Sequence, residues 1–276
     1  MAKKKTQSVK NYEFDINKIV EYLRPLAIKL NQLYLWKAEI EGLYELNLFS
    51  IDELDSLNII NIFDREIKIK KLISKKLSEL KSKNDLNFYV LANWIIVKWG
   101  KISSECPNVA IDNFLSYDKP VFDRIASTSK VGAFLNPNKY IIYDSRVAYT
   151  LNWIILSQQA GSHFFQIPDG RNSKMNAFDL DVLIRLFSIS NYIPNNIEEL
   201  NNKKFISNND KLKYIAKEDS YFYLRNLIVE INKQLWKGDL ERVNNLYYTE
   251  MLLFAIADKE IYFDIVNSVE ISFKRV

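Results

Sequence analysis

Apolar positions recur at helical spacing along most of the chain. From Asp15 to about Lys37 they are Ile16, Ile19, Val20, Leu23, Leu26, Leu30 and Leu33, which predicts one helix with a single buried face. Pro25 lies inside this run and is expected to kink or split it. "SIDELDSLN" follows, with Ser50 and Glu53 in the S-x-x-E spacing of a capping box. Between Arg65 and Lys83, lysines are interleaved with Ile67, Ile69, Leu72, Ile73, Leu77 and Leu80, the pattern of an amphipathic helix with a basic outer face. "NDLNFYVLANWIIVKWG", Asn84 to Gly100, is apolar almost all round and predicts a buried central helix stopped by Gly100.

"SSECPNVAIDNFLSYDKP" reads as a loop with a short helix, and "KPVFDRIAST" as a helix. "SRVAYTLNWIILSQQ", from Ser145 to about Gln159, is a strongly apolar helical run with Asp144 at its N-cap position. "QQAGSHFFQIPDGRNSKMN", Gln158 to Asn176, is polar, aromatic and irregular, the character of a functional loop. Further helices are predicted over Ala177–Ile189, Lys217–Trp236 and Asp239–Asp258, with an Asn- and Lys-rich surface loop after the first of them. The last stretch, "EIYFDIVNSVEISFKRV", alternates as a small C-terminal hairpin would, with a short helix as the other reading.

Composition supports this order of elements. The chain has 276 residues and only 6 Gly and 6 Pro, few breakers for a fold rich in tight turns. The expected fold class is therefore mostly α, with two packed helical lobes. A single domain is expected over residues 15–276, behind a basic, disordered tail at 1–14. One cysteine, Cys106, excludes a disulfide framework within the chain and an all-cysteine metal site. One histidine, His163, excludes a multi-histidine metal site, so neither metal nor other cofactor is expected. The formal net charge of +4 is a weak argument for nucleic acid by itself. No window approaches the roughly 18 uncharged apolar residues of a membrane span. The first residues lack the apolar core of a signal peptide. A cytoplasmic monomer is the expectation.

The candidate chemistry lies in "STSKVGAFLNPNKYIIYDSRVAYTLNW", Ser127 to Trp153. It sets a lysine, Lys130, and an aspartate, Asp144, on either side of a short Pro-containing turn. From the residues alone these are a helix lysine and a helix cap. The stretch nevertheless resembles the helix-hairpin-helix DNA glycosylases, especially the 8-oxoguanine DNA glycosylase branch. "STSK" ends in the lysine, "KVGAF" matches the small and apolar residues after it, and "NPNKYIIYD" leads to the aspartate of "DSRV". "WIIVKWG" upstream and "YYTEMLLFAIAD" downstream are similar to parts of bacterial proteins with this fold. The convincing similarity covers about Phe122 to Trp153, and a weaker one about Leu86 to Asp258. The family's hairpin glycines are replaced here by "IASTS", and the lysine-to-aspartate spacing is shorter.

The resemblance implies a two-lobed glycosylase-like fold with its helix-hairpin-helix region at about 120–158. It implies double-stranded DNA carrying a damaged or modified base as partner, base flipping, and abasic-site lyase activity. Asp144 would stabilise the positive charge that develops on the sugar, and Lys130 would form a Schiff base with it. Phosphate contacts would come from Ser127, Thr128, Ser129, Lys139, Arg146, Arg171 and Lys174. The base pocket would draw on Gln158, Gln159, His163, Phe164, Phe165, Gln166 and Glu250, whose amides read base edges and whose rings stack. Trp94 and Trp99 are expected in the core. The base is open: 8-oxoguanine is the family's usual target, while the divergence suggests modified bases of phage DNA. Two other readings stand beside the glycosylase: a DNA-binding module of the same fold without chemistry, and a structural or protein-interaction helical protein.

Overall fold

The structure, a computed structural model, describes residues 12–117 and 119–270. Among these the secondary structure is helical, with two isolated β-bridges, Phe14 to Gly161 and Phe164 to Tyr214. The helices run α1 (Ile16–Ala27), α2 (Leu30–Leu33), α3 (Glu41–Glu45), α4 (Ile51–Asp55), α5 (Ile62–Ser82) and α6 (Asn87–Trp94). Then come α7 (Asn108–Ser116), α8 (Ile125–Leu135), α9 (Ser145–Ser157), α10 (Ser173–Ala177) and α11 (Leu180–Phe187). The last are α12 (Ile197–Asn201), α13 (Phe205–Asp210), α14 (Lys217–Leu235), α15 (Leu240–Val243), α16 (Tyr247–Ile256) and α17 (Glu260–Ser268).

Local signals account for several boundaries. Asp15 caps α1 by accepting from the Lys18 N–H, and the helix ends two residues after Pro25, whose ring removes a helical hydrogen bond. Ser50 and Glu53 form a reciprocal capping box at α4. Asn61 caps α5, its side chain accepting from the Asp64 N–H. α6 runs without a break into a π-helical turn, Ile95–Trp99, which closes with the Gly100 N–H donating to the Ile95 carbonyl at 2.8 Å.

Two separate apolar cores form. The first joins α1, α9, α14 and α16 around Ile19, Leu23, Ile154, Leu224 and Leu252. The second gathers Leu43, Ile73, Leu91, Ile95 and Val131. α5 gives Phe63 and Ile67 to the first and Ile69, Ile73 and Leu77 to the second; α8 likewise gives Ile125 to one and Val131 to the other. These two helices stitch the cores together, and the cleft between the cores lies beside them.

Several expectations change. The run Lys119 to Thr128 is not one helix: α8 begins only at Ile125, after Arg124 in the left-handed region at φ 53°. Ser127, Thr128 and Ser129 therefore lie inside a helix and not in a turn. The Asn- and Lys-rich stretch folds into the short helices α12 and α13. The expected helix over Asp239–Asp258 is interrupted between α15 and α16. The expected C-terminal hairpin is instead helix α17, because Ile261 and Ile265, one helical turn apart, are both fully buried against the first core. Residues 271–276 lie outside the described residues, as do residues 1–11 of the expected tail. Tyr12 and Phe14 are packed: Tyr12 is buried and Phe14 stacks on Phe165 at 5.5 Å. Among the described residues no helix is long and apolar enough to cross a membrane.

Candidate active site

Lys130 sits in the middle of α8, only 5% exposed. Its amine donates to the Ala126 carbonyl at 2.8 Å and lies 3.4 Å from Asp144 Oδ2. The chain between α8 and α9 makes this meeting possible. It has no regular secondary structure at Ile141–Tyr143 and pairs with no strand, so side chains satisfy its backbone N–H groups. The Ile141 N–H donates to the Tyr221 hydroxyl, the Ile142 N–H to Glu250 Oε1 and the Tyr143 N–H to Ser129 Oγ, at 3.2, 3.1 and 3.0 Å. This clamp ends at Asp144, whose Oδ1 accepts from the Arg146 N–H at 2.9 Å and so caps α9. One carboxylate oxygen holds the helix and the other faces the lysine.

Gly100 closes the site from the second core. A Cβ there would stand 2.7 Å from the Ile96 carbonyl and 2.9 Å from Lys130 Cδ. The π-helical turn carries Trp99 and Gly100 up to the lysine, the kind of helix irregularity that concentrates at functional sites.

Lys130 and Asp144 open into a pocket in the cleft between the cores. Its aromatic lining is Tyr34, Trp36, Trp99 and Phe254, and its charged lining Lys70, Arg146 and Glu250. Trp36 and Phe254 meet edge to face at 5.6 Å, and the Arg146 guanidinium lies 4.8 Å from the Phe254 ring while its Nε bonds Asp258 at 3.2 Å. Ligand sites favour this combination of apolar walls and few convergent polar groups.

The polar groups behind the lysine are strongly perturbed. Burial pushes the Glu250 carboxyl up to about 8, against the opposing pull of Lys70, the Ile142 N–H and Lys130. Burial also raises the Glu66 carboxyl and lowers the Lys70 amine, while their mutual attraction opposes both shifts. Lys70 lies 3.5 Å from Glu66 Oε1, which also accepts from the Trp99 indole at 2.9 Å. The Lys70 ammonium is 4.5 Å from the rings of both Trp99 and Phe134. Among the described residues no group of three or more His, Cys, Asp or Glu is arranged to hold a metal ion.

Of the residues anticipated from sequence, Lys130, Asp144, Arg146 and Glu250 come together at this pocket. The others do not. Thr128 donates to the Arg124 carbonyl and the Ser129 hydroxyl accepts from the Tyr143 N–H, so these two hydroxyls hold the helix and its connection; Ser127 is buried too. Lys139 and Lys174 are exposed away from the pocket lining, and Arg171 is paired with Asp179 at 2.8 Å. Phe165 is fully buried, its backbone bracketed by the Asn152 amide. Phe164 packs near Tyr214, and the His163 ring lies 4.8 Å from Tyr12. Gln158 and Gln159 line a different cavity beside Trp153, and Gln166 lines others beside Ile167 and Tyr214. The loop is a piece of the first core, held there by its aromatic rings.

Tyr34, Trp36, Lys70, Trp99 and Phe254 were not anticipated at the site. Lys70 carried a signal: it lies between Ile67 and Ile73 on the apolar face of α5, where a solvated lysine does not belong. Phe254 follows Glu250 by one helical turn on α16 and so shares its face. Comparison with protein-family models, with curated proteins and with solved structures finds no match for this chain.

Proposed function

We propose that this chain is a DNA glycosylase with an abasic-site lyase step, with Lys130 as the amine and Asp144 as the charge-stabilising carboxylate. One observation carries the reading: a buried amine 3.4 Å from a helix-capping carboxylate, both lining an aromatic-walled pocket. In this scheme the base is flipped into the pocket and stacks on the ring walls. As the N-glycosidic bond lengthens, Asp144 stabilises the developing oxocarbenium ion. Lys130 gives a proton to the departing base, which leaves with the bonding electron pair, and the amine so freed attacks the sugar C1′. The attached nitrogen passes one proton to O4′ as the C1′–O4′ bond breaks, which gives a protonated Schiff base, and loss of a C2′ proton to solvent then expels the 3′ phosphate with the C3′–O bonding pair. The capped, clamped position of Asp144 supplies the preorganisation such a step needs.

A DNA-binding module without chemistry is the second reading. The Lys130 contact to Ala126 in its own helix favours it, because a buried lysine satisfied this way also serves as plain structure. Borohydride trapping on a duplex with an abasic site separates the two. Under the glycosylase reading wild type gives a covalent adduct and Lys130→Gln gives none. A companion panel of duplexes, with 8-oxoguanine and hypermodified phage pyrimidines among them, reports which base is released. No adduct and no release on any duplex leaves the binding module.

A further inference from the structure

The pocket holds polar groups that the Lys130–Asp144 chemistry leaves unused. Glu250 is 3% exposed; its Oε1 accepts from the Ile142 N–H, while its Oε2 has no hydrogen-bond partner. The Trp36 indole nitrogen is also buried and without a partner, and it belongs to the same lining. Lys70, 6% exposed, reaches the lining from α5. Its ion pair with Glu66 is long, 3.5 Å, and Glu66 Oε1 is shared with the Trp99 indole, so the ammonium keeps donor capacity.

These groups share one property. An indole N–H and an ammonium are donors only. A buried carboxyl whose neutral form is favoured up to about pH 8 adds a third donor, its O–H. A buried donor left unmade costs on the order of 1–3 kcal/mol, so a ligand that supplies acceptors is strongly selected here. The rings of Tyr34, Trp36, Trp99 and Phe254 supply faces for a flat ligand.

We propose that this pocket binds a planar nitrogen heterocycle by a carbonyl-bearing edge, read by Lys70, Glu250 and Trp36, and rejects the matching heterocycle that carries an amine there. An exocyclic amine would set N–H against N–H and leave the pocket donors unpaired. As a statement about substrate class this rests on the glycosylase reading: the flipped base would be an oxo base, not an amino base. As a statement about the pocket it stands without that reading.

The test is a titration of the full chain, followed by tryptophan fluorescence and calorimetry, with free bases matched in ring size. Hypoxanthine is compared with adenine, and uracil with cytosine. The carbonyl base of each pair binds at least about tenfold more tightly to wild type, the worth of roughly one hydrogen bond. Glu250→Gln keeps the preference, since its amide still donates and still accepts from Ile142. Glu250→Leu reduces it to within about threefold. Lys70→Met with Glu66→Gln, which removes the buried pair together, does the same. Tighter or equal binding of adenine and cytosine overturns the proposal, as does no binding of any of the four. An unchanged ratio in both Glu250→Leu and the double variant overturns it too. Abasic-site trapping and release from duplex DNA are read separately from free-base binding: an adduct without base preference sinks this proposal alone, and base preference with neither adduct nor base release sinks the glycosylase alone.

Discussion

Lys130 and Asp144 are separated by 14 positions, yet amine and carboxylate meet at 3.4 Å because the α8–α9 connection is pinned by side chains from three helices. The same carboxylate caps α9. Asp144→Asn keeps the cap, since the amide oxygen still accepts the Arg146 N–H. It removes the partner charge of a buried amine. Breaking a buried pair costs roughly 3–5 kcal/mol, and the lower end applies because the Asp144 side chain keeps 17% exposure. Lys130→Gln combined with Asp144→Asn recovers most of that loss in urea unfolding; the double variant loses the borohydride adduct, while Asp144→Asn alone loses base release. A double variant no more stable than Asp144→Asn alone would show that the two side chains do not act as a pair.

Gly100 is held to glycine by packing, since its own backbone is ordinary. A methyl group there meets the Ile96 carbonyl at 2.7 Å and Lys130 Cδ at 2.9 Å. The carbonyl cannot yield without disturbing the π-helical turn, so the lysine stem moves. Gly100→Ala is expected to cost about 1–3 kcal/mol, the usual size of core overpacking. Its trapping rate falls at least tenfold at a temperature where the variant remains folded by circular dichroism. A folded Gly100→Ala variant that traps at the wild-type rate would mean that the stem position is unimportant.

The long elements and the helix cap at Asp144 were legible in the sequence for definite reasons. α5, α9 and α14 are long and periodic, and Ser50, Asp144 and Glu53 carry capping chemistry that acts over three residues or fewer. The pocket was not legible because Trp36, Lys70, Trp99, Lys130 and Phe254 come from five separate stretches of chain. The lysine run around Lys70 also reads as a solvated face unless each lysine is placed on the helix wheel. The opposite error arose at His163 to Gln166. Its polar and aromatic mixture reads as a binding loop, but Phe164 exchanges backbone hydrogen bonds with Lys213 and Ile215, a partnership across some fifty residues that no local pattern announces.

Under the glycosylase proposal, Trp36 distinguishes base capture from sugar chemistry. It is half-buried and meets Phe254 edge to face, so Trp36→Ala removes a wall and an unpartnered N–H while Lys130 and Asp144 keep their own hydrogen bonds. Stability should fall by about 1–3 kcal/mol, less than for a fully buried tryptophan. Release of a base from duplex DNA falls at least tenfold, whereas trapping on a pre-formed abasic site stays within about threefold. Equal losses in both assays would place Trp36 in the sugar step or in folding.

Glu250 makes a prediction about pH. Its carboxyl titrates near 8 in the folded chain and near the ordinary glutamate value when unfolded. Between about pH 4.5 and 8 the folded state therefore holds a proton that the unfolded state has released. Stability contributed by this group is present below the unfolded pKa and is lost as pH rises toward the folded one. Glu66, also raised by burial, acts in the same direction, so wild type should lose stability as pH rises. Glu250→Gln cannot ionise and keeps the acceptor for the Ile142 N–H. Its stability should match wild type at pH 4.5 and exceed it increasingly toward pH 8.5, measured by urea unfolding in buffers of constant ionic strength. Parallel profiles for the two proteins would mean that Glu250 is ionised and paired at neutral pH, which would also remove the O–H donor from the pocket.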